Sequence, residues 1–168
     1  MSIGKISMQT NYLNPTSFLV SVKRLPNVVF FTQRAILPSV SMSAVTTPTP
    51  LKNIYNVPDH LEYAELDLSF IIDEDMNNYL EILRWMEGIA TPEKLSQYDR
   101  LQKSEEGIRS DIVVVLTNSA KNPHIEIRYK DAFPLTISPI SLDITASDVQ
   151  YPEATVTFRH NGFEITQL

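Results

Sequence analysis

Apolar and polar residues alternate through Leu66, Leu68, Phe70 and Ile72, with Glu65, Asp67 and Ser69 interleaved. A period of two sends the apolar set to one face of a strand and the acids to the other. The period then changes. Met76, Tyr79, Leu80, Leu83 and Met86 recur every three or four residues, one stripe of a helix. Asp73 and Asp75 stand just before that stripe, where a carboxylate can accept a free amide of the first turn and complement the helix dipole. Gly88 follows the stripe and is placed to close the helix. The stretch 59–89 therefore predicts a strand, an acidic cap and a helix. Leu66, Leu68, Phe70, Leu83, Trp85 and Met86 are its expected core contribution.

The rest of the chain reads mostly as β structure. Residues 1–16 lack a sustained pattern and form an expected N-terminal arm. Phe18, Val20 and Val22 alternate as a strand, Leu25-Pro26-Asn27 turns, and Val28–Ile36 returns as a second strand of a hairpin. Residues 39–58 hold three prolines and many Ser and Thr residues. The prolines bar a helix and a central strand, so a long extended arm is expected. Val40, Met42, Leu51, Ile54, Tyr55 and Val57 are costly to leave in water, which marks them as a surface for a partner chain. Residues 91–110 are polar and charged, a surface excursion. Ile112–Leu116 is an apolar run rich in branched side chains, a buried strand. Residues 124–130 alternate, 131–134 read as a turn, and Pro139 breaks the next strand. Ala154, Val156 and Phe158 mark the last clear strand, and Asn161-Gly162 is a turn that leads into a hairpin or a tail. With strands outnumbering helices and no repeated βαβ alternation, the fold class is mainly β: an antiparallel β-sandwich or barrel with one flanking α-helix and a long extended arm between strands two and three.

Composition narrows the function by exclusion. At 168 residues the chain suits a single domain, 1–168. It has no cysteine, so thiol chemistry and thiolate metal sites are out. Four glycines leave no phosphate-binding loop. The net charge of −6 and the lack of a basic cluster argue against duplex DNA binding. No apolar run is long enough to span a membrane, and no secretory signal opens the chain. His60, His124 and His160 are far apart in sequence, without metal-ligand spacing, and are expected at a surface or an interface. No nucleophile–base pair stands out. No catalytic residue, metal or cofactor is assigned, and an enzyme is not expected.

Five segments together resemble the tail tube proteins of contractile-tailed bacteriophages: NPTSFLVSV, FFTQRAILPSVSM, EYAELDLSFIIDEDMNNYLEILRWMEGI, IEIRYKDAFPLTISPISLD and ATVTFRHNGFEI. The resemblance covers residues 11–165 and lies in their order and spacing. It implies a structural virion protein whose copies form rings of six that stack into a tube, with DNA passing through the bore. It equally admits a subunit of the same fold that initiates, terminates or caps the tube. The implied partners are further copies of the chain, the tail sheath, and baseplate or neck proteins. The implied location is the phage tail, assembled in the host cytoplasm. Strand faces that line the lumen would carry Glu62, Glu65, Asp67 and Ser69, with Glu126 and Arg128 as further candidates.

Overall fold

The computed structural model describes residues 12, 13, 15–90, 107–145 and 151–168. The first eleven residues of the expected N-terminal arm and most of the 91–110 excursion lie outside them. In chain order the elements are β1 (Phe18–Val22), α1 (Pro26–Phe31), β2 (Thr32–Ile36), β3 (Val40–Ser41), β4 (Val45–Pro48), β5 (Asn53–Asn56), β6 (Glu62–Tyr63), β7 (Leu66–Ile71), α2 (Asn77–Ala90), β8 (Ser110–Thr117), β9 (Pro123–Ile137), β10 (Glu153–Arg159) and β11 (Gly162–Gln167). Pairing is antiparallel throughout, in the order β1-β8-β9-β10-β7-β2, with β11 also on β9.

Strand β9 divides this array into two sheets that do not close into a barrel. Its first part pairs with β8 and β11, and its last part with β10. Sheet 1 is thus β1-β8-β9-β11, and sheet 2 is β9-β10-β7-β2. A turn was expected at 131–134, but the strand runs straight through it. Asp131 takes a positive φ of 55°, which Asp tolerates better than most residues. Its amide donates to Asp111 Oδ1 at 3.2 Å, and its own Oδ2 accepts from Asn161 Nδ2 at 3.0 Å. Opposite the preceding Lys130, Gly162 has φ 150°. Register survives the bend, with Lys130 facing Gly162 on one side and Phe133 facing Arg159 on the other. Each strand carries one extra outward residue there, so the inward set shifts from Ile127 and Tyr129 to Ala132 and Pro134. Pro134 is tolerated because β8 pairs with β9 no further than Ala132, leaving that flank an open edge. The 161–162 turn likewise makes no hairpin with β10, because β11 continues the same ladder along β9.

The expected hairpin of Phe18–Ile36 is also corrected. Pro26 opens a short helix rather than a turn, consistent with its fixed φ and missing donor. Leu25 and Val28, three apart, are both fully buried. β1 and β2 therefore lie at far edges of different sheets. Among the described residues two helices flank the sheets where one was expected.

Helix α2 follows β7 as predicted, but its inward stripe is rotated from the expected one. Asn78, Ile82, Trp85 and Gly88 are the buried positions. Met86 packs against the core, whereas Leu83 is half-buried at its margin. Asn78 sets this rotation. Its side chain donates to the Ile71 carbonyl at 2.7 Å, which ties the first turn to the end of β7. Gly88 lies inside the helix, not past its end. Around Ile82 and Trp85 gather Val20, Val22, Ile112, Val114 and Tyr129 from sheet 1, and Leu66, Leu68, Phe70, Val156 and Phe158 from sheet 2, in one cluster. Each such side chain contributes roughly 1.5–3 kcal/mol by leaving water.

Candidate assembly surfaces

The outer face of sheet 2 is polar. Because β7 alternates, burying Leu66, Leu68 and Phe70 turns Asp67 and Ser69 outward. β10 supplies hydroxyl partners in register. Thr157 Oγ1 donates to Asp67 Oδ1 at 2.7 Å, and Ser69 Oγ lies 2.9 Å from Thr155 Oγ1. Glu65 Oε1 lies 3.6 Å from Arg159 Nη1 at the edge of this face. Glu62 is exposed on β6, within 3.4 Å of Ser43 Oγ. Thr155 and Thr157 were not singled out from the sequence, although their alternation with Ala154, Val156 and Phe158 carried the signal.

Glu126 and Arg128 lie elsewhere, on the outer face of sheet 1. They pair with each other at 2.8 Å, and the Glu126 carboxylate raises the Arg128 pKa. Lys130 pairs with Glu164 beside them and holds that carboxyl below its usual range. Of the six expected lumen residues, Glu65, Asp67 and Ser69 thus lie with sheet 2, Glu126 and Arg128 on sheet 1, and Glu62 on the β3–β6 pair.

The arm at 39–58 is a β-ribbon rather than a loosely extended segment. From Ile36–Asp67 the register continues unbroken to Val40–Tyr63 and Ser41–Glu62. After a shift it resumes as β4 and β5, from Val45–Asn56 to Pro48–Asn53. The tip is closed by Thr49 and Lys52, whose backbone amide and carbonyl meet at 3.2 Å. Prolines fit because a two-stranded ribbon has only edges. Val40, Met42, Ile54 and Tyr55 are all exposed, and Leu51 and Val57 are 98% and 91% exposed. A lone two-stranded hairpin is marginal in water, so this one gains from being covered.

Before α2, Asp73 Oδ1 accepts the Asn78 amide at 3.4 Å, and the Asp73 carbonyl accepts the Met76 amide at 3.0 Å. Asp75 makes no such bond among the described residues. Met76, directly before the helix, has φ 54°, an unusual conformation for its side chain.

His160, expected at a surface or an interface, is buried within the chain. Tyr129, Tyr63 and Phe163 surround it, with ring centroids at 5.0, 6.0 and 6.2 Å. Neither ring nitrogen is well aligned with an acceptor, although the backbone of Gly162 and of Ala64 lies beside the ring. Burial lowers its pKa, the carbonyls of Gly162 and Ala64 oppose that shift, and the charge of Arg159 adds to it. Burial also pushes the neighbouring Tyr129 phenol up to about 12. With the folded pKa of His160 below the unfolded value of about 6.5, the unfolded chain binds more protons in the interval between them. Its contribution is complete above that unfolded value and is lost as pH falls through the interval. Urea midpoints measured between pH 7.5 and 5 should therefore fall on acidification, and fall less in His160→Phe. Equal slopes for the two proteins would remove His160 as a cause.

A family model described as phage tail tube protein matches residues 5–166. No curated protein matches the chain. Among solved structures, a chain in the structure of the anti-feeding prophage cap, a tube-terminating cap, aligns over 100% of both chains, with TM-score 0.69 and 16% identity. A chain of the anti-feeding prophage baseplate aligns over 95% of this chain and 97% of its own, with TM-score 0.63 and 18% identity. A chain of the PVC sheath-tube complex, an extracellular contractile injection system, covers 100% and 99%, with TM-score 0.61 and 15% identity. At these identities the likeness is one of fold.

Proposed function

Because the chain belongs to the phage tail tube protein family, we propose that it is a structural subunit of the tail whose copies close into rings of six. Stacked rings form the tube through which DNA passes. The observation that carries this reading is sheet 2. Among the described residues no strand covers the outer edge of β2, and none covers the flank of β9 opposite β10 beyond Ala132. Three antiparallel pairings separate those edges, so β2 and β9 run in opposite directions. Joining the β2 edge of one copy to the β9 edge of the next extends an antiparallel ladder. Head-to-tail contacts of this kind generate a closed ring when the rotation closes.

The wall of the bore is then the outer face of sheet 2, with Glu65, Asp67, Ser69, Thr155 and Thr157, and with Glu62 where the ribbon departs. Hydroxyls and carboxylates keep such a wall wet, and like charge avoids tight phosphate contacts. Glu126 and Arg128 turn away from the bore toward the outside of the tube, where the sheath lies. Baseplate or neck proteins meet its ends. The particle assembles in the host cytoplasm.

The fold shared with a chain in the structure of a tube-terminating cap supports a second reading, a subunit that forms one ring at the tube's end. Negative-stain microscopy of the purified protein separates the two. Tubes of constant diameter are the expected result, and isolated rings favour the end subunit. A protein that stays monomeric at high concentration would sink both.

A further inference from the structure

An apolar groove of about 720 Å³ opens where β7 passes into α2. Ile72, Met76, Ile140, Leu142 and Tyr151 line it, together with Asp73 and Glu74. Leu142 and Tyr151 are 84% and 72% exposed, although both are apolar or aromatic. Small-ligand pockets usually set a few polar groups inside an apolar wall to orient the ligand. Here the acids sit together on one side, toward β7 and α2.

We propose that this groove receives the tip of the β4–β5 ribbon from a second copy of the chain. The proposal rests on the reading of the protein as a self-assembling subunit and names the surface its arm engages. The chemistry of the two surfaces is complementary. Lys52 is the only charged residue in 39–58, and it stands at the tip beside Leu51, with Ile54 and Tyr55 close behind. The groove offers apolar walls for those three side chains and two carboxylates for the one ammonium.

Geometry excludes the chain's own arm as the occupant. The ribbon leaves β7 at the Asp67 end, where Ile36 pairs with Asp67 and the ladder runs on to Tyr63. The groove lies beyond the other end, past Ile71. At about 3.3 Å per residue the strand separates the two, and the ribbon points away from the groove. A copy that receives an arm at one end therefore presents its own arm at the other. Such a contact is heterologous, and where its rotation does not close it builds a stack.

The native chain has no cysteine, so an engineered pair reports only the intended contact. Two differently tagged chains, one Leu51→Cys and the other Leu142→Cys, are mixed, assembled and mildly oxidised. A heterodimer several-fold above that from a control pair, Leu51→Cys with Leu19→Cys on the outer face of sheet 1, is the expected result. If rings or tubes form but the Leu51–Leu142 product stays at the control level, the arm goes elsewhere and only the docking proposal falls. If neither assembly nor cross-link appears, both fall. As a second test, Lys52→Glu should raise the concentration needed for stacking roughly two- to fivefold, as expected for one partly exposed ion pair. Adding Glu74→Lys to the same chain should reverse that rise, and failure to reverse it overturns the pairing.

Discussion

Trp85→Ala is expected to remove about 3–5 kcal/mol of stability, the range for deleting a large aromatic from a packed core. The ring is 2% exposed and lies where α2 meets both sheets. Its centroid is 6.0 Å from that of Phe158, and the Arg24 guanidinium lies over its other part at 5.2 Å. Nε1 donates to the Ile108 carbonyl at 2.9 Å, which anchors the start of β8 to the helix. Alanine leaves a cavity and also takes the hydrogen bond from that carbonyl. Small domains have only about 5–15 kcal/mol in total, so the variant should lose a large share of its margin and unfold at a clearly lower urea concentration. Trp85→Phe keeps most of the volume and loses the bond, and should cost about 1–2 kcal/mol. Urea denaturation followed by circular dichroism measures both. A loss below about 1 kcal/mol for the alanine variant would mean that the seam between helix and sheets is not the keystone described here.

How much of this was legible in the sequence varied with how local the cause was. The strand Leu66–Ile72 alternates because one face is buried and the other is not, and local pattern carries that information. The rotation of α2 was not legible, because it is set by the Asn78 side chain reaching the Ile71 carbonyl, a contact invisible to hydrophobicity. Val28–Ile36 read as a strand because branched and aromatic residues dominate it. The competing signal was Pro26 with Leu25 and Val28 at helical spacing. Asp131 and Pro134 are turn residues by propensity, and here they serve a bend within one ladder that both strands share. That outcome depends on Asn161 and Gly162, some thirty residues away. The polar face of sheet 2 was half visible. Asp67 and Ser69 stood out as acid and hydroxyl on a strand, while Thr155 and Thr157 gained meaning only once β10 was known to lie beside β7. Glu126 and Arg128 look equally exposed in sequence, and only the division into two sheets separates them.

Replacing residues 42–61 by Asn-Gly should abolish stacking while leaving the fold intact. Ser41 and Glu62 face each other directly, so a two-residue turn between them can close the shortened ribbon without altering its register. Tyr63 stays, and with it the contacts to His160 and to Phe163, whose ring lies 5.6 Å away. Nothing removed belongs to the core cluster, and most of it is exposed. The melting transition should therefore move by less than the effect of about 1 kcal/mol. Assembly should change completely, because Leu51, Ile54 and Tyr55 are the apolar side chains offered to a neighbour, and their burial is the main favourable term in most association. Sedimentation and microscopy should find single rings or monomers. Persistent tubes of full length would show that the arm only decorates the stack, and that contacts between the sheets of successive rings hold it. Loss of the circular dichroism signal would show instead that the ribbon nucleates sheet 2. The two failures differ in kind, since the first concerns assembly and the second concerns folding. A variant that folds and forms rings but not tubes assigns ring closure to the edges of β2 and β9 and stacking to the arm.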